Sequence, residues 1–232
     1  MALYAMGDFH LAHAVDKNQE IFGPEWTDYV RRIDENCRRL LTEDDTLVIC
    51  GDHSWGRRME ECTQDLAYIE ALPGRKILLR GNHDMFWEAK KTAALNKMFE
   101  GRLHFLQNNY YAYGDYALVG TKGYCWEGLD SIDHFLKIRK REVHRLRDSI
   151  TQAKADGYER FIIFLHYPPT SIGEEASPFT ELAEQCGAEK VIYAHCHGAP
   201  RWHDSLMGDV RGVDYRLVSS DYRQFVPDKI LD

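Results

Sequence analysis

Leu78-Leu79-Arg80-Gly81-Asn82-His83-Asp84 is the stretch whose reading decides the fold. The run 76–80 reads as a buried strand, and it ends in a glycine followed by three polar side chains. Open α/β sheets deliver chemistry at such carboxyl ends. Gly81 is expected to let the backbone turn sharply and approach a ligand closely. Asn82 offers a neutral oxygen that a hard cation accepts. His83 can carry a proton near neutral pH, and Asp84 is the expected partner that orients its ring. Gly, Asn and Asp also build ordinary turns. The tetrad gains meaning because the same layout, an apolar run and then Asp or His, recurs at four other places.

Those places are residues 3–6 before Gly7-Asp8-Phe9-His10, and 46–50 before Gly51-Asp52. The others are 161–165 before His166-Tyr167-Pro168-Pro169, and 191–194 before His195-Cys196-His197. Between them, 25–41, 59–72, 86–99, 134–156 and 179–186 read as helices, the second stopped by Pro73-Gly74 and the fourth by Gly157. A polar loop is expected between His10 and residue 25. Residues 104–107, 110–113 and 116–121 read as short strands, the last two a hairpin, and 215–219 as a final strand before a loop-like tail. Strands alternate with helices around a β-rich patch, with no repeat and no linker. The expectation is one α/β domain over residues 1–232, with the loose boundary near Asn108 separating two halves of one core.

The formal charge of −8 argues against non-specific nucleic-acid binding, which draws its affinity from positive charge. No apolar run approaches the ~20 residues of a membrane span. The N-terminus has no basic segment, and Asp8 follows too soon for a signal peptide. The six cysteines form no Cys-x-x-Cys pair, so reduced thiols in a cytoplasm are expected rather than a structural zinc site.

Asp8 and His10, and likewise His195 and His197, stand two apart, which puts each pair on one side of an extended backbone. With Asp52, Asn82 and His166 they form a ligand set of imidazole, carboxylate and one amide. Such a set suits Mn, Fe, Zn or Co, and it is too large for one ion. It suits two ions sharing a carboxylate, as in two-metal hydrolases.

In order, Asp8-x-His10, Gly51-Asp52, Gly81-Asn82-His83-Asp84, His166 and His195-x-His197 resemble the calcineurin-like metallophosphoesterase superfamily. The resemblance implies a four-layer sandwich of two mixed β-sheets flanked by helices. It implies one metal on Asp8, His10, Asp52 and His197, and another on Asp52, Asn82, His166 and His195, with Asp52 bridging. His83 would be the catalytic acid or charge stabiliser, oriented by Asp84. The implied activity is hydrolysis of a small phosphate ester by a metal-bridging hydroxide, with diesters of small or nucleotide-like molecules favoured over monoesters. A non-catalytic metal-binding scaffold and a nuclease are the alternatives. Two departures stand out. Many members read Gly-Asp-x-x-Asp where this chain has Trp55, and many have Gly where it has Ala194. The Asp52-His53-Ser54-Trp55 version, with Tyr167-Pro168-Pro169 and Ser219-Ser220-Asp221-Tyr222, resembles a bacterial subgroup of predicted phosphohydrolases.

Around this set, His13 reads as a loop residue and His53 as a residue that could touch substrate. Arg57 and Arg58 read as a helix start. Trp55, Tyr124 and Trp126 read as core cover that could also line a cleft. The basic run 137–147 reads as a solvated helix face, since Glu142 interrupts it.

Overall fold

The computed structural model describes residues 1–17 and 22–232, so part of the expected polar loop, 18–21, lies outside the described residues. Five strands form one sheet in the order β11-β1-β2-β3-β4, and six form a second in the order β5-β6-β7-β8-β10-β9. The first holds β1 (Leu3–Met6), β2 (Thr46–Cys50), β3 (Arg75–Leu79), β4 (Leu103–Leu106) and β11 (Asp228–Leu231). The second holds β5 (Tyr110–Tyr113), β6 (Tyr116–Thr121), β7 (Arg160–Leu165), β8 (Ala188–Tyr193), β9 (Gly208–Val210) and β10 (Val213–Leu217). Each sheet is parallel at its centre with antiparallel edges, β11 on β1 in one and β5 and β9 in the other. The chain passes from the first sheet to the second at residues 107–109, beside Asn108.

The strands read as unbroken apolar runs because both faces are covered. In β7, Ile162 and Phe164 point into a core shared by both sheets, where they meet Val48, Ile77, Leu79 and Ile192. Phe161, Ile163 and Leu165 point the other way, under α4 (Ile132–Ala155) and α5 (Pro178–Cys186). On the first sheet the outer residues Met6, Leu47, Ile49 and Leu78 lie under α1 (Tyr29–Leu40), α2 (Met59–Glu70) and α3 (Thr92–Met98). The result is a four-layer sandwich of two mixed sheets flanked by helices. Among the described residues no helix is long and apolar enough to cross a membrane.

Three expectations on elements need correction. The helix expected over 86–99 begins only at Thr92, after a single 3-10 turn (Ala89–Lys91). Trp87 is buried as an anchor, and the Arg80 guanidinium donates to its carbonyl, which removes it from any helical ladder. The first helix begins at Tyr29 rather than residue 25, because Asp28 is left-handed (φ 54°). The tail is a strand, not a loop: β11 closes the open edge of β1, although Ile230 is its one buried residue. The short helix α6 (Gly198–His203) carries no periodic signal.

Phe164 is fully buried between the sheets. Phe164→Ala should destabilise the fold by about 3–5 kcal/mol through lost burial and the residual cavity. A urea midpoint unchanged from the parent would show that the inter-sheet core does not hold the layers together.

Candidate metal centre

The ends of β1, β2, β3, β7 and β8 converge because the loops leaving them are cross-tied. The Asp8 amide donates to the Gly51 carbonyl (3.0 Å) and the His10 amide to the Asp52 carbonyl (2.8 Å). Asp8, His10, Asp52 and His195 all have left-handed backbones, with φ of 59°, 46°, 54° and 70°. Non-glycine residues adopt this region uncommonly, Asp and His more readily than most, and four of the nine in the described residues fall at these strand ends. Gly81 serves a different purpose from the sharp turn expected of it. Its φ is ordinary, but a Cβ there would stand 2.0 Å from Asp52 Oδ1 and 2.3 Å from the Asp52 amide.

Two groups of acceptor atoms result. Asp8, His10 and His197 form one, and Asp52, His166 and His195 the other, with ligand atoms within 4.8 Å of one another in each. The Asn82 amide oxygen joins the second group, 2.7 Å from His166 Nε2. Asp52 also reaches the first group, its Oδ2 lying 3.8 Å from His10 Nε2.

Hydrogen bonds behind each ring decide which nitrogen faces inward. His166 Nδ1 donates to the Cys50 carbonyl (2.8 Å), His195 Nε2 to Glu127 (2.9 Å) and His197 Nδ1 to Asp221 (3.0 Å). His166 Nε2 and His195 Nδ1 are therefore left as bare lone pairs, while His197 Nε2 faces Asp8 Oδ2 at 3.9 Å. His166 Nε2 then faces the Asn82 oxygen, His195 Nδ1 (3.2 Å) and Asp52 Oδ2 (3.4 Å) with no proton between them. Lone pairs crowded in this way repel unless a cation lies among them, so the residues fit a metal. Their charge states agree. Burial, reinforced by neighbouring histidines, holds His10 and His166 well below the ordinary histidine value, hence neutral and ready to ligate. Burial, with Asp84 and Asp8 nearby, pushes Asp52 well above the usual carboxylate range, a position that a bound cation reverses. Glu127 and Asp221, neither singled out in the sequence as a site residue, are the carboxylates that fix two of these rings. Only their spatial contact with His195 and His197 reveals them.

Asp84 does not do what the sequence suggests. Its carboxylate is fully buried and accepts from the amides of Gly81 (2.7 Å), Asp52 (3.0 Å) and His53 (2.8 Å), and from His53 Nδ1 (2.9 Å). It braces the loops after β2 and β3 rather than the His83 ring. Burial acts to raise it, but His53 and the amide donors hold it below the usual carboxylate range. His53 is likewise buried and away from any substrate. His13 is tied to Asp65 (2.7 Å), and Arg58 pairs with Glu61 at the start of α2.

His83 is held differently from the ligands. Its amide donates to Asp52 Oδ1 (2.8 Å), while its ring lies 4.3 Å from the Trp55 ring and its side chain is 36% exposed. Trp55 also stacks on His10 (4.9 Å). His83 and Trp55 line a cleft of about 70 Å³ with His10, Asp52, His195 and His197. Tyr124 and Trp126 do not line this cleft; both pack on Phe135, and Tyr124 also packs on Tyr167.

Comparison with known proteins points the same way. A family model described as calcineurin-like phosphoesterase matches residues 1–199. No curated protein matches. Similar solved structures include phosphopantetheinyl hydrolase from Mycobacterium tuberculosis (TM-score 0.60, 14% identity, 99% of this chain and 95% of that one). A protein from Thermus thermophilus scores 0.57 at 10% identity over 99% and 97% of the two chains. A protein of unknown function from Aquifex aeolicus scores 0.54 at 17% identity over 98% and 95%. At these identities the likeness is one of fold.

Two outcomes test this geometry. Asp84→Ala strands four donors and should cost about 3–5 kcal/mol in stability, while also lowering metal content. His83→Ala, by contrast, should leave both unchanged, and equal effects of the two in urea titration and metal analysis would overturn the assignment. The second outcome concerns pH. Burial opposes a proton on His197, but Asp8 and Asp221 outweigh it and hold the ring at about 9. That proton stabilises the metal-free fold fully below about 6.5, and the contribution is lost as pH rises through about 9. A cation must displace it, so Mn²⁺ affinity measured by calorimetry should rise by up to about tenfold per pH unit below that point. A flat profile would mean that His197 stays protonated in the bound state.

Proposed function

The chain belongs to the calcineurin-like phosphoesterase family, and we propose that it is a dinuclear metal-dependent phosphoesterase acting on small phosphodiesters, nucleotide-like ones among them. The observation that carries this reading is the pair of facing acceptor groups, Asp8–His10–His197 and Asp52–His166–His195, with His83 beside them in the same cleft. Their donor chemistry suits Mn, Fe or Zn. Bound there, two such cations would neutralise phosphoryl charge and supply a hydroxide at neutral pH.

The chain's own residues supply the rest. His83 is the group placed to give a proton to the leaving oxygen. Burial keeps its ring below the ordinary histidine value against the opposing charge of Asp84, and a neutral ring still offers one N–H. Trp55 limits its rotation. Among the described residues the cleft lining itself carries no Arg or Lys, and Lys17 alone stands over the Trp55 ring (4.7 Å); so little positive charge favours a singly charged diester over a doubly charged monoester. The net charge of −8 disfavours a polyanionic nucleic-acid substrate. All six thiols are buried and unpaired, in keeping with a reducing cytoplasm.

With Mn²⁺ supplied, bis-p-nitrophenyl phosphate should be hydrolysed faster than p-nitrophenyl phosphate. His83→Ala should lower kcat by about 10²–10⁴-fold without loss of metal. Equal rates for parent and variant would remove His83 from the chemistry, and faster monoester turnover would reverse the substrate preference.

A further inference from the structure

The strands β1, β2, β3, β7 and β8 are each followed within three residues by a residue of the metal centre, and β6, next to β7, is followed directly by Lys122. The amides of His166 and Tyr167 both donate to the Lys122 carbonyl (3.1 and 2.9 Å), which fixes it beside the centre. Its side chain is 8% exposed. The ammonium lies over the rings of Tyr124 and Tyr167, 4.9 and 4.8 Å from their centroids, and has no other polar partner among the described residues. The carboxylate whose charge acts on it most, Glu142, is occupied by Arg141 (3.2 Å), Arg145 (2.6 Å) and Thr121 (2.7 Å). Lys122 is nonetheless close enough for its charge to act on Glu127 and His166, and for Asp52 to act on it.

A lysine this buried, with no carboxylate bonded to its ammonium among the described residues, is costly unless an anion reaches it. Two aromatic faces compensate only in part. The Tyr167 ring touches both, 4.8 Å from the ammonium and 4.1 Å from the His195 ring. Lys122 is therefore a ring's breadth from the metal groups and reaches a neighbour of the scissile phosphoryl rather than its own oxygens. It also belongs to the His166–His195 flank, whereas His83 and Trp55 lie against His10.

We propose that Lys122 is a specificity residue that binds a second anionic group of the substrate, a phosphate or carboxylate next to the phosphoryl under attack. This rests on the phosphoesterase reading, and it narrows the substrate class to esters with a further negative charge on the side away from His83.

The test uses two probes that cannot turn over, methylphosphonate and methylenediphosphonate, titrated calorimetrically into the Mn-loaded protein with metal content checked afterwards. The parent should bind the diphosphonate about tenfold or more tightly than the monophosphonate. Lys122→Met should remove most of that preference and leave methylphosphonate binding unchanged, and Lys122→Arg should keep it. A preference that survives in Lys122→Met, or a parent that shows none, overturns the proposal. If neither probe binds the loaded parent, it is the phosphoesterase reading that fails. Should Lys122→Met not fold, ¹³C-dimethyl-lysine resonances of the parent decide, with that of Lys122 assigned by its absence in Lys122→Arg. It should move with methylenediphosphonate and not with methylphosphonate, and no movement with the diphosphonate overturns the proposal.

Discussion

The site depends on one buried carboxylate that touches no substrate. Asp84 gathers four N–H donors from the ends of two neighbouring strands, and a carboxylate accepting several amides is among the stronger buried arrangements. This brace fixes the Asp52 backbone, whose side chain then receives the His83 amide. Asn82 and His83 are thereby placed on either side of Asp52, one facing His166 and the other facing the cleft. The absence of a Cβ at Gly81 is part of the same device, since any side chain would separate the two loops.

Around that brace the charges are arranged against themselves. Asp8, Asp52 and Asp84 are all buried, and burial opposes ionisation of each. Only Asp84 is held below the ordinary range, because it alone has a full set of donors. The other two keep acceptor capacity in reserve, and histidines turned by Glu127, Asp221 and the Cys50 carbonyl add lone pairs to the same space. The protein thus separates carboxylates that are finished by hydrogen bonding from those left for a cation.

Much of the architecture was legible because the central strands are covered on both faces and so read as short apolar runs followed abruptly by Gly, Asp or His. That pattern located the ends of β1, β2, β3, β7 and β8, hence the edge where chemistry collects. The edge strand β11 was not legible, since Asp228 and Lys229 resemble a loop and the pairing is supplied by β1 from the far end of the chain. Nor was the role of Asp84. Adjacency in sequence suggested His83 as its partner, while the fold brings His53 within 2.9 Å instead. Glu127 lies in a loop with no periodicity and no motif spacing, and Asp221, though part of the Ser219-Ser220-Asp221-Tyr222 motif, carries no local mark as the group that turns His197.

The left-handed backbones at Asp8, His10, Asp52 and His195 carry an evolutionary consequence. Each such residue costs on the order of 1–3 kcal/mol, a cost that Gly would avoid. Selection for stability alone would therefore drift these positions toward Gly and erase the ligands. Asp and His at these four points set a local backbone cost against the acceptor atoms they supply to the candidate centre. A lineage released from that chemistry would be expected to lose these residues first and to gain thermal stability as it did so.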